Sequence, residues 1–173
     1  VYITTAGVGA MLPGTDISPR NVRPGQDIIL SGPVGDHAVA VMAGRHGLTL
    51  PAEVISDCAP LSGLAKAVLT AAPAVAAMRD PTRGGLAAAL GEIAAQAGVG
   101  IMVEEAAVPV RPAVRAVCDI LGFDPFYLAN EGKLLIFVES SKTSHVLTAM
   151  RSHPYGREAA VIGRVADAPA GRV

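Results

Sequence analysis

The sequence predicts an α+β domain in which a mixed β-sheet is flanked by α-helices. Short, β-branched apolar runs read as strands, and longer stretches with apolar residues three and four apart read as amphipathic helices. The two kinds of element follow one another without the strict alternation of a parallel α/β fold, which favours a mixed sheet with helices packed on it. At 173 residues the chain is long enough for one domain with one core, so 1–173 is taken as a single unit.

The elements follow in order. Val1–Thr5 is short, apolar and β-branched and reads as a leading strand, and 6–15 as a loop. Arg23-Pro24-Gly25-Gln26-Asp27 is a turn, with Pro and Gly in favourable places, and Ile28–Leu30 is a buried strand. Ser31-Gly32-Pro33 ends it, and a helix spans 34–45. A second helix covers 60–76, with Leu61, Leu64, Ala65, Val68 and Leu69 on one face. A third covers 85–97, carrying Leu86, Leu90, Ile93 and Ala97, with Gly98 as its C-terminal cap. Ile101–Val103 is a strand. Val110, Val114, Val117 and Leu121 mark a helix over 111–121. Leu134–Val138 is a strand, 141–152 a helix capped by Ser140 or Ser141, and Ala159–Val165 the last strand, leaving 167–173 as a loose tail. Val1, apolar and not a methionine, reads as an interior residue of a longer chain.

Composition narrows the function. Fourteen basic residues against fifteen acidic, no Trp, three Tyr and three Phe leave neither the basic footprint nor the stacking surface of a nucleic-acid binder. The longest stretch without a charged residue, 1–15, is broken by Gly7, Gly9, Pro13 and Gly14. It is shorter than the roughly 18 apolar residues of a membrane span. No segment has the form of a signal peptide, so a cytoplasmic protein is expected. Cys58 and Cys118 are far apart, and no Cys-x-x-Cys or His-x-x-x-His occurs. No metal site is expected, and both thiols read as small buried hydrophobes.

Three segments could carry chemistry. MRDPTRGG, residues 78–85, opens the third helix. A helix N-terminus attracts anions, Arg83 adds a planar cation, and Gly84 with Gly85 leaves the backbone open to approach. Two glycines in a first turn cost about 1 kcal/mol each relative to Ala, which asks for a steric reason. The same residues also suit a helix start with nothing bound. ANEGK, residues 129–133, gathers a carboxylate, an amide and an ammonium at a strand edge. There Glu131 could move protons with Asn130 orienting a partner, or the segment is a solvated turn. SGPVGDH, residues 31–37, is a tight strand-to-helix turn whose Asp36 complements the helix dipole. No Walker A loop, full dinucleotide fingerprint or nucleophile elbow is present.

The order of PGQDIILSGPVGDHAVAVM, SDCAPL, MRDPTRGGL, RPAVRAVCDILGFDPFYLANEGKLLIFV and HPYGREAAVIGRV closely resembles the C-terminal domain of the HypE family of hydrogenase maturation factors. More broadly it is similar to the C-terminal domain shared by aminoimidazole ribonucleotide synthetase (PurM), selenophosphate synthetase and thiamine-monophosphate kinase. The resemblance implies a PurM C-terminal-domain-like fold. It also implies a role in making the cyanide ligands of nickel–iron hydrogenases, by ATP-dependent dehydration of a carbamoyl group carried on a cysteine. It implies Glu131 as the catalytic acid–base residue and places Asp80, Thr82, Arg83, Gly84 and Gly85 near the ATP phosphates. ATP and Mg²⁺ are the implied cofactors of the whole protein. The implied partners are a carbamoyltransferase maturation factor, an iron-scaffold maturation complex and an N-terminal domain that supplies most ATP and Mg²⁺ contacts. The family's terminal cysteine is not matched by Arg172-Val173, and neither is its N-terminal domain, so this chain alone is expected to be inactive and to bind no cofactor tightly. The other readings are a related synthetase or kinase of the same superfamily and a non-enzymatic docking module.

Overall fold

The computed structural model describes residues 3–4, 6–10, 12–47 and 54–173. Among these residues five strands form one sheet: β1 (Gln26–Leu30), β2 (Ala77–Arg79), β3 (Gly100–Val103), β4 (Leu135–Glu139) and β5 (Ala160–Ala166). Their order is β2-β4-β1-β5-β3, and every neighbouring pair is antiparallel where a mixed sheet was expected. The α+β class itself holds. Among the described residues five α-helices flank the sheet: α1 (Asp36–His46), α2 (Ser62–Ala71), α3 (Gly85–Ala97), α4 (Pro112–Leu121) and α5 (Thr143–Arg151).

The sheet is buried on both faces, so its central strands carry unbroken apolar runs, 28–30 in β1 and 135–138 in β4, instead of alternating. On one face Ile28, Leu30, Leu135 and Phe137 pack with Leu86, Leu90 and Ile93 of α3. On the other, Ile29, Ile136 and Val138 pack with Leu64 and Val68 of α2 and with Val146 and Met150 of α5. A smaller cluster joins α1 to α4 through Val39, Val114 and Cys118.

Several boundaries differ from the sequence reading. The helix expected over 60–76 ends at Ala71, because the backbone of Ala72 turns extended ahead of Pro73. The apolar run after it becomes β2, the edge strand against β4. Of the leading strand expected over Val1–Thr5, Val1, Tyr2 and Thr5 lie outside the described residues, while Ile3 and Thr4 belong to no strand. The tail expected to be loose runs back along the sheet: the Ile101 amide donates to Arg172 O, and the Gly171 amide to Val99 O. No described helix is long and apolar enough to cross a membrane.

Candidate functional site

The ANEGK segment leads into β4 and is held by its neighbours. Asn130 is fully buried. Its Oδ1 accepts the Gly35 amide at 2.9 Å, and its Nδ2 donates to Pro81 O at 3.1 Å and Leu128 O at 3.0 Å. Its own amide also donates to Pro81 O. One side chain thus ties the α1 turn and the MRDPTRGG segment to ANEGK. Two stretches 49 residues apart become neighbours through this amide.

At the MRDPTRGG segment, Thr82 Oγ1 donates to Asp80 Oδ2 at 3.0 Å, closing a local turn at the surface. Arg83 and Gly84 are exposed, whereas Gly85 is buried. Gly84 and Gly85 both have positive φ, 71° and 64°, a region that costs any other residue strain. A Cβ on Gly85 would collide with the carbonyl oxygens of Phe126 and Leu128. The steric reason that the glycine pair asks for is therefore close packing of the 126–128 turn on the start of α3. The open side of this helix start is at Arg83 and Gly84.

Glu131 is exposed, and among the described residues its carboxylate has no partner. The two residues after it, Gly132 and Lys133, line a cavity of about 710 Å³. The SGPVGD turn, the 55–59 segment, Arg111 and residues 154–158 complete its wall. Neither Glu131 nor Asp80 to Gly85 is among its lining residues, so this cavity does not bring Glu131 and Arg83 together.

Two buried carboxylates face this cavity. Asp36 Oδ2 accepts Arg111 Nε at 3.1 Å, and Arg111 also pairs with Glu158 at 2.9 Å. Asp36 Oδ1 is buried without a protein partner. Burial pushes the Asp36 carboxyl above the usual aspartate range, more than the hydrogen bond and charge of Arg111 draw it down. Asp57 accepts the Glu131 amide on Oδ1 at 3.0 Å. Its Oδ2 stands 2.9 Å from Lys133 Nζ, an ion pair whose angle is off the line of a hydrogen bond. The sequence places Asp36 in a candidate segment that helix-dipole complementarity also explains, and it singles out neither Asp57 nor Arg111. A lone Asp in a loop has no spacing to mark it, and only contact with 131–133 gives Asp57 meaning. Cys118 is buried, as expected, but Cys58 is exposed at the cavity.

Among the described residues no group of three or more His, Cys, Asp or Glu could hold a metal ion. The two inward carboxylates are already paired with Arg111 and Lys133. These residues do not fit a Mg²⁺ site.

The chain is 50% identical over 95% of its length to the carbamoyl dehydratase HypE of Azotobacter vinelandii, of which it covers 48%. It is 44% identical over 96% of its length to that of Escherichia coli, of which it covers 49%. It thus spans about half the length of the relatives it matches. A crystal structure of a HypE–HypF complex superposes with a TM-score of 0.86 at 42% identity, covering 90% of this chain and 51% of that one. HypE in complex with ATP superposes at 0.84 with the same identity, covering 90% of this chain and 48% of that one. A thiamine-monophosphate kinase from Stenotrophomonas maltophilia, at 24% identity and a TM-score of 0.65, shares the fold. With residues 23–173 matching the AIR synthase related protein, C-terminal domain, the chain belongs to that family, on its HypE branch.

Proposed function

We propose that this chain is the part of an ATP-dependent carbamoyl dehydratase that carries the acid–base carboxylate, Glu131. The reaction converts a cysteine-bound S–C(=O)–NH₂ group into S–C≡N. ATP, when bound to the whole protein, supplies the phosphoryl group that makes the amide oxygen a leaving group. Removing that oxygen as phosphate requires the nitrogen to give up its protons, and a carboxylate within hydrogen-bond reach serves as the acceptor. Glu131 offers a free, solvent-reachable carboxylate on a fixed backbone. Asp80, Thr82, Arg83, Gly84 and Gly85 form the phosphate-side surface, with Arg83 as its cation.

The observation that carries this reading is the clamping of Glu131. It lies between a fully buried Asn130 and a buried Gly132, yet its own side chain is exposed. A solvated turn has no need of such anchoring, whereas a proton-transfer group gains from it. The names of the relatives support the same reaction, and the HypE–HypF and HypE–ATP structures support a carbamoyltransferase partner and ATP use. An iron-scaffold complex would take the nitrile carbon onward, and the cytoplasm is where such assembly would proceed.

In the full-length protein, Glu131→Gln keeps the shape of the side chain but cannot take a proton. ATP binding should persist while thiocyanate formation slows at least about 100-fold, the usual range for losing a general base. Mass spectrometry of the carbamoylated cysteine, followed over time, reads the outcome. Dehydration at the parent rate would remove Glu131 from the mechanism.

A further inference from the structure

We propose that Asp57 is a positioning residue for the dehydration, acting through Glu131. This rests on the role of Glu131 proposed above and adds a residue that the sequence did not mark. Asp57 has a side chain only 4% exposed, yet it sits beside an exposed glutamate. Its two oxygens are divided between the two residues that flank Gly132. Oδ1 accepts the Glu131 backbone N–H at 3.0 Å, and Oδ2 holds Lys133 Nζ at 2.9 Å. The backbone completes the grip. Gly132 lies so close to the Asp57 carbonyl that a Cβ at 132 would collide with it.

The 56–58 segment is itself fixed. Ser56 Oγ accepts the Cys58 amide at 3.3 Å and lies 2.9 Å from His37 Nδ1 on α1. On the other side Asn130 locks the preceding peptide to Pro81 and Gly35. Glu131 is thus held on both sides by groups belonging to separate parts of the chain, while its carboxylate stays free. The Asp57 bond and the Lys133 pair fix where the Glu131 Cα sits and in which direction its side chain leaves. A base displaced by about 1 Å loses up to about 100-fold in rate without any loss of substrate affinity.

The test uses the full-length protein with its carbamoyltransferase partner. Asp57→Ala removes both contacts and should lower kcat about tenfold or more, with KM for ATP within about twofold of the parent. Asp57→Asn keeps an oxygen for the Glu131 amide and should recover kcat to within about threefold. In a Glu131→Gln background, Asp57→Ala should cost little further, because the residue through which it acts is already disabled. Parent-like kcat in Asp57→Ala, or a loss that multiplies in full with Glu131→Gln, overturns the proposal. Parent-like turnover in Glu131→Gln alone instead brings down the Glu131 assignment, and a loss seen only in Asp57→Ala would then give Asp57 a separate role. Should Asp57→Ala fail to fold, amide hydrogen exchange in the unaltered protein decides. The Glu131 amide should be protected at least about tenfold over an unstructured peptide, and exchange as fast as in such a peptide overturns the inference.

Discussion

Replacing Asn130 removes three side-chain hydrogen bonds from a position with no exposed surface. The Gly35 amide and the half-buried Leu128 carbonyl would lose their partner, while Pro81 O keeps the Asn130 backbone amide, and a buried unsatisfied group costs about 1–3 kcal/mol. Asn130→Ala should therefore lower unfolding free energy in urea by about 2–4 kcal/mol. Asn130→Asp should be no milder, since an ionised carboxylate can accept from Gly35 but cannot donate to two carbonyls. A loss below about 0.5 kcal/mol would show that the three loops do not depend on this side chain. The sequence pointed to Asn130 as a partner for chemistry. Its main task is architectural, and its polar atoms are consumed by backbone. What could be read at this scale was residue type next to residue type. Partnership with Gly35, 95 positions away, could not be read.

At the scale of elements, Asp27 joins three of them. It lies on β1, takes a hydrogen bond from Thr143 at the start of α5 at 2.7 Å, and pairs with Arg164 on β5 at 3.0 Å. Burial works to raise its carboxyl pKa, but the hydrogen bonds from Thr143, Arg164 and Ser140 outweigh it and hold the group below its ordinary 3.8. A carboxyl with a depressed folded-state pKa contributes stability that is present above 3.8 and lost as the pH falls through the lower folded value. Thermal melts should show part of the acid destabilisation below about pH 4 disappearing in Asp27→Asn, with the variant less stable than the parent at pH 7. An unchanged acid limb would refute this. The helices with clear periodicity and glycine caps, α3 and α4, were legible nearly to the residue. β2 was not, because Val75-Ala76-Ala77-Met78 continues the apolar character of α2 and only Pro73 marks the break. The glycine pair at 84–85 showed its cost in the sequence but not its cause, which is the 126–128 turn packed over α3.

For the whole molecule, the inward carboxylates are already paired and the cation nearest the proposed phosphate surface, Arg83, is exposed. An open anion surface with few contacts does not offset the freedom a nucleotide loses on binding, so calorimetry of this chain with ATP and Mg²⁺ should show no saturable binding at micromolar concentrations. A micromolar affinity would mean that the nucleotide contacts lie within these residues after all. The α+β class was legible because strand-like and helix-like patterns were both strong. The antiparallel order was not, because pairing depends on which distant strands meet. That order also has a consequence in time. The centre of the sheet, β1, is the first of the five strands to be made, and both its neighbours, β4 and β5, are the last two. Gln26 and Glu139, which end up side by side, are 113 residues apart. At ribosomal speed that is on the order of ten seconds during which Ile28-Ile29-Leu30 has emerged with neither edge paired. While those 113 residues are being made, the nascent chain therefore carries a sticky strand with unpaired edges. Whatever shields that strand during those seconds guards the chain against edge-to-edge association before the sheet can close.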